Sequence, residues 1–217
     1  MTIEIDNVEL YFKEKCILNG IYLKGETGKV TGILGSNGCG KSCLLNIIFG
    51  SLKPKYKLIR INNKPVLKSL YQTKLVAYLP QYNFIPKSLK LSMVFKLFDL
   101  NWYDFIIYFE HFKPFKNFRF GKLSGGERRL VETYIILKSD REIILLDEPF
   151  SHLAPLYIET IKALITVEQK QKVIIITDHM YQHIVDMSDD LYLIKGGHSK
   201  LIKDLKELET YKYLSMR

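Results

Sequence analysis

The run Gly35-Ser36-Asn37-Gly38-Cys39-Gly40-Lys41-Ser42 fits the spacing GxxxxGK[ST] without a mismatch. Glycine backbones can turn successive N–H groups inward, and a ring of such donors cradles phosphate oxygens. In this pattern the lysine reaches the β- and γ-phosphates, and the serine hydroxyl ligates Mg²⁺. Lys41 and Ser42 are therefore the expected phosphate and metal contacts, with Cys43 directly behind them. A second chemical group is the apolar run Ile143-Ile144-Leu145-Leu146, which ends in Asp147 and Glu148. Asp147 at a strand end can hold Mg²⁺ through its water shell, and Glu148 can orient or deprotonate an attacking water. A third is Leu123-Ser124-Gly125-Gly126-Glu127. Ser124 suits a helix N-cap, and the N–H groups at Gly125 and Gly126 make a second anion-binding helix start. One triphosphate needs only one phosphate loop, so a second anion site implies that two chains share the nucleotide.

Positioning these groups requires particular elements. Val30–Leu34 is β-branched and apolar and reads as a buried strand. After the loop, the chain from Cys43 to Phe49 is apolar and ends at Gly50, which predicts a helix closed by glycine. Strand, glycine loop and helix are the context the phosphate motif needs. Leu75–Leu79 and Lys172–Thr177 read as further strands. The first runs into Pro80 and Gln81, the second into Asp178 and His179. Open α/β sheets carry their sites at strand C-termini, so Gln81 and His179 are candidates for the γ-phosphate region. Thr2–Leu10 alternates and Cys16–Leu23 follows a turn, which predicts a pair of N-terminal strands. Tyr11 and Phe12 lie between them, and either ring can stack on a nucleotide base. Leu91–Phe120 is dense in aromatics, with Phe105, Tyr108, Phe109 and Phe112 at helical spacing, and predicts a small helical subdomain. So many rings exceed what a small subdomain hides, so some are expected to face a partner. Further along, Pro155–Val167 predicts a helix, 190–195 and 199–202 two strands, and 204–214 a closing charged helix.

The whole chain narrows the class. Its 217 residues suffice for a real core, and 47% hydrophobic with 25% charged residues is an ordinary globular balance. No stretch approaches the roughly 18–20 uncharged apolar residues of a membrane span. The opening MTIEIDNVEL is acidic and alternating, unlike a secretory signal. Cys16, Cys39 and Cys43 form no CxxC pair, which implies a reducing cytoplasmic setting without disulfides or zinc. The net charge of +9 is compatible with nucleic acid or an anionic surface, but the lysines are scattered and read as a solvated face.

The order of these motifs resembles the nucleotide-binding subunit of ABC-type ATPases, and LSGGE at 123–127 is the most specific of them. The resemblance covers essentially the whole chain. It implies a single α/β domain over 1–217 with a P-loop NTPase fold. Its parts would be a mostly parallel core sheet, an N-terminal antiparallel β subdomain and a small α-helical subdomain near 88–138. It further implies ATP and Mg²⁺ as ligands and head-to-tail pairing with a second, identical subunit. A separate transmembrane permease and a cytoplasmic position at the inner face of the membrane complete the picture. By this resemblance Ser124, Gly125 and Gly126 serve the partner's ATP. Gln81 is the Q-loop residue that senses Mg²⁺ and coupling, His179 the switch histidine, and Phe12 rather than Tyr11 the adenine-stacking ring. Two departures stand out. Ala154 occupies a position where the family usually has aspartate, which touches communication between the two sites rather than ATP binding. Thr177-Asp178-His179 reverses the more usual order of histidine and aspartate. The alternative reading is a soluble ABC-type ATPase acting on nucleic acid or ribosomes. The tandem domains, coiled-coil insertion or zinc modules of those relatives are not found in the sequence.

Overall fold

Alternating apolar residues at Ile3, Ile5, Val8 and Leu10 turn inward along strand β1 (Thr2–Phe12), which pairs antiparallel with β2 (Lys15–Glu26). This opens the computed structural model, which describes residues 1–210. Strand β3 (Val30–Leu34) is buried along its whole length, and the glycine loop leads from it into helix α1 (Lys41–Phe49). The helix begins at Lys41, two residues before the apolar run suggested, because Gly40 (φ 107°) ends the loop in a left-handed conformation. Gly50 (φ 102°) closes the helix as expected. β4 (Tyr56–Ile61) returns to the free edge of β1, and the short β5 (Lys64–Pro65) completes an antiparallel sheet of order β2-β1-β4-β5.

The chain then enters the second sheet through β6 (Val76–Leu79). Two seven-residue helices follow, α2 (Leu91–Leu97) and α3 (Trp102–Tyr108). Helices this short are not stable alone. They are held by rings: Phe95 lies 5.1 Å from Trp102 and 5.0 Å from Phe105, and Phe105 lies 4.9 Å from Tyr134. Tyr134 belongs to α4 (Gly125–Lys138), so the aromatic cluster fastens the short helices to a long one. Truncating a buried phenylalanine such as Phe105 to alanine costs roughly 3–5 kcal/mol. Phe98, Tyr103, Tyr108 and Phe118 remain exposed. β7 (Ile143–Asp147), α5 (Pro155–Glu168) and β8 (Val173–Thr177) come next. Helix α6 (Tyr181–Met187), β9 (Asp190–Lys195), β10 (His198–Ile202) and α7 (Lys206–Thr210) close the described chain. The sequence did not signal α6, because only Ile184 of its seven residues is fully buried and it leaves no periodic stripe. The remainder of the expected closing helix, 211–214, lies outside the described residues.

The second sheet has the order β10-β9-β3-β8-β7-β6, parallel except for β10. Both of its faces are covered, which is why β7 and β8 read as apolar runs and β3 is buried along its whole length. Ile33, Ile143, Leu145, Val173 and Ile175 pack toward α1 and the antiparallel sheet. Leu34, Ile144, Leu146, Ile174 and Ile176 pack toward α4, α5 and the aromatic cluster. The register then decides where the chemistry lands. Ile33 is opposite Thr177, Asp147 is opposite Thr177, and Leu79 is opposite Leu146. Strands β3, β6, β7 and β8 therefore end level. The residues that follow them, from Gly35, Pro80, Glu148 and Asp178 onward, emerge along one edge.

Candidate functional site

The phosphate loop tolerates only glycine at two of its turns. A Cβ at Gly35 would stand 2.8 Å from the Ile194 carbonyl oxygen, and one at Gly40 2.7 Å from Leu18 Cδ2. The Lys41 ammonium lies across the loop, donating to the Gly35 carbonyl at 2.6 Å and the Ser36 carbonyl at 3.2 Å. α1 has no side-chain cap. Its first N–H groups have no intrahelical partners and are open to an anion.

Asp147 sits beneath the loop and is 1% exposed. Its Oδ2 accepts from the Tyr78 hydroxyl at 3.1 Å. Its Oδ1 has no partner. Burial pushes its carboxyl above the usual carboxylate range, against the lowering influence of the nearby Ser42 and Tyr78 hydroxyls. A buried carboxylate with one unpartnered oxygen beside a serine hydroxyl fits a hard divalent cation, which would restore the lost solvation. Glu148 follows in a left-handed conformation (φ 55°). Its Oε2 accepts from the Ser151 hydroxyl at 3.2 Å and lies 3.5 Å from His179 Nδ1. The same imidazole nitrogen lies 3.2 Å from Asp178 Oδ1. Asp178 is itself tied down, its two oxygens accepting from the Phe150 and Met180 amides.

Lys41, Ser42, Gln81, Glu148 and His179 line one cleft of about 610 Å³, together with Asn37, Gly38, Gly40 and Cys43 of the loop region. Half-exposed Phe12 also lines it, whereas Tyr11 does not. Gly35, Ser36 and Cys39 are not in the lining. The first two direct carbonyls at Lys41, and the Cys39 sulfur packs where a Gly35 side chain would be. Burial pushes the thiols of Cys39 and Cys43 up, so neither is a thiolate nucleophile at neutral pH.

Ser124, Gly125 and Gly126 are not brought into this cleft. They open α4 with a capping box: the Glu127 amide donates to Ser124 Oγ at 3.2 Å, and the Ser124 amide to Glu127 Oε2 at 2.7 Å. A Cβ at Gly126 would stand 2.4 Å from the His152 carbonyl oxygen, whereas nothing approaches one at Gly125 within 4 Å. Ala154 is the N-cap of α5 and supplies no side-chain hydrogen bond.

Two functional neighbours escaped the sequence reading. The buried Arg129 guanidinium donates to the Pro80 carbonyl at 2.6 Å, to the Glu148 carbonyl at 2.9 Å, and also to the Asp147 carbonyl. Glu132, fully buried, accepts from the amides of Phe84 at 2.8 Å and Ile85 at 3.1 Å and from Asn83 Nδ2 at 2.7 Å. α4 thus grips the segment around Gln81 from both sides and fixes the backbone that carries Glu148. The available signal was charge at i and i+3 inside an apolar helix, which is read as solvent-facing unless the partners are known.

A family model described as ABC transporter matches residues 18–151. The manganese transport system ATP-binding protein MntB of Listeria innocua is 27% identical over 208 residues, covering 88% of this chain and 85% of its own. The Nod factor export ATP-binding protein I of Burkholderia lata is 26% identical over 211 residues, covering 90% of this chain and 68% of its own. A nucleotide-free ATP-binding cassette from an ABC transporter superposes with a TM-score of 0.78 at 23% identity, over 98% of this chain and 96% of that one. The ATP-bound structure of a bacterial Atm1-family ABC exporter superposes with a TM-score of 0.83 at 20% identity, over 96% of this chain and 40% of that one.

Proposed function

The chain belongs to the ABC transporter family as an ATP-binding subunit, and on that premise we propose that it hydrolyses ATP to drive a separate membrane permease. One observation carries this reading. Lys41, Ser42, Gln81, Glu148 and His179 converge on a single cleft above a buried Asp147 oxygen that has no partner.

In this reading the triphosphate draws Lys41 away from the Gly35 and Ser36 carbonyls, and the loop N–H groups take the phosphate oxygens. Ser42, Asp147 and Gln81 would hold Mg²⁺, which would neutralise charge on the phosphates. Glu148 holds a water in line with the γ-phosphorus and accepts its proton. An O–P bond forms from that water as the bond between the γ-phosphorus and the bridging oxygen breaks. The His179 imidazole, kept in place by Asp178, contacts the γ-phosphate. Phe12 stacks on the adenine at the mouth of the cleft.

The exposed start of α4 supports pairing of two copies, each offering Ser124, Gly125 and Gly126 to the other's ATP. Exposed Tyr82, Met93, Leu97, Phe98 and Tyr103 support an apolar docking face for the permease next to Gln81. Residues 1–217 then act as one ATPase domain whose helical part, near 88–138, transmits closure. No helix among the described residues is long and apolar enough to cross a membrane. Binding to the permease would hold the chain at the cytoplasmic face.

The test is Glu148→Gln. Turnover is expected to fall at least roughly 100-fold. ATP stays bound, and an ATP-dependent dimer accumulates on size exclusion. Wild-type turnover in this variant would refute the assigned base. Tagged Glu148→Gln protein should also recover a multi-span protein from detergent-solubilised membranes when ATP is present. Recovery of only ribosomal or nucleic-acid components would overturn the transport reading.

A further inference from the structure

The partner of Asp147 is itself held by a chain of hydrogen bonds that runs through three elements. The Tyr78 hydroxyl, on β6, donates to Asp147 Oδ2 at 3.1 Å and accepts from Asn46 Nδ2 at 3.1 Å. Asn46, on α1, also directs Nδ2 at the Ser42 carbonyl at 2.8 Å. Its Oδ1 accepts from the Ser51 hydroxyl at 2.7 Å. Every direction in this chain is set. An amide nitrogen only donates and an ionised carboxylate only accepts, so the single hydroxyl hydrogen of Tyr78 goes to Asp147. The two acceptors of Nδ2 and the hydroxyl donor at Oδ1 likewise leave one orientation for the Asn46 amide. Asp147 therefore has one oxygen engaged and the other, Oδ1, buried without a partner.

We propose that Tyr78, locked by Asn46, is a positioning residue that turns Asp147 so that Oδ1 is presented to the cation. This rests on the reading of the cleft as an ATP and Mg²⁺ site. The terminal torsion of an aspartate is soft, so a carboxylate without a fixed donor samples many orientations. The Tyr78 hydroxyl narrows them to one. Its anchor is the first helix after the phosphate loop, so Ser42 and Asp147 are set relative to each other through Asn46 rather than independently. Tyr78 also stands three residues before Gln81 on the same segment, which links the cation site to the strand that leads to the docking face.

A merely structural tyrosine would fill space, and its ring does pack on Phe49 at 5.4 Å between centroids. Tyr78→Phe keeps that ring and removes only the hydroxyl, so it separates the two roles. The experiment titrates Mg²⁺ against wild type, Tyr78→Phe and Asn46→Ala, read by fluorescence of a labelled ATP analogue, with a parallel titration of the analogue in EDTA. Metal-free affinity should stay within about twofold of wild type. The Mg²⁺ half-saturation point of Tyr78→Phe should rise roughly tenfold, as expected when a ligand loses its outer-shell partner. Asn46→Ala should shift it in the same direction. A wild-type Mg²⁺ curve in Tyr78→Phe overturns the proposal. If that variant does not fold, a wild-type curve in Asn46→Ala overturns it equally. Failure of wild type to bind the analogue would instead sink the ATP reading itself.

Discussion

Two glycine-rich helix starts in this chain are built from similar residues and end in different states. At α1 the N-cap is Gly40, left-handed and without a side-chain bond. At α4 the N-cap is Ser124, closed by a capping box with Glu127. The first start lies at the C-terminal end of a buried strand, with Gln81, Glu148 and His179 delivered to it by neighbouring strands. The second follows a short turn and has exposed Ser124 and Gly125. Both offer N–H groups and a helix dipole to an anion. The first shares its cleft with Lys41, Ser42 and His179 as well as Gln81 and Glu148, whereas Gly125 of the second lies on a neighbouring cavity with Gln81, Arg128, Glu148 and His152. Glycine and a helix start make a phosphate-binding element, and the level ends of parallel strands turn one into a complete site. In the proposed reading the second start serves the ATP of another copy.

Lys41→Ala should separate the two most sharply. A hydrogen bond to a charged group is worth about 1.5–3 kcal/mol. Nucleotide affinity measured by calorimetry should therefore drop at least roughly tenfold. Unchanged affinity would remove the distinction at its source. Gly125→Ala probes the other start with no local collision, since nothing lies within 4 Å of the added carbon. Stability should stay within about 0.5 kcal/mol. ATP affinity of the isolated chain should not move, while turnover at concentrations that pair the chains should fall several-fold. A loss of affinity in the isolated chain would break the comparison, because the α4 start would then belong to the same chain's site. The smallest effect belongs to Ser124→Ala, which removes the cap and costs about 1 kcal/mol. Melting should drop by roughly 2–4 °C for a chain of this size. No loss would mean that the capping box contributes nothing to holding α4.

Much of the site was legible because its signals are local. Gly35–Ser42 announces a loop through backbone freedom, β3, β7 and β8 through apolar, β-branched stretches, and Ser124 through its suitability as an N-cap. The helical character of the aromatic stretch was legible too, but not which rings face inward. Phe105 is fully buried and Tyr103, two residues before it, is exposed, a choice made by contact with Tyr134 of α4. Arg129, Glu132 and Tyr78 gave no usable signal, since their partners lie 18 to 69 residues away in sequence. The sequence by itself determined which residues could bind phosphate, hold a cation or take a proton, because those capacities reside in side-chain chemistry and local backbone. Only the tertiary structure decided that Lys41, Gln81, Glu148 and His179 meet. Their meeting depends on the parallel register of β3, β6, β7 and β8, and that register follows from burying both faces of the sheet at once.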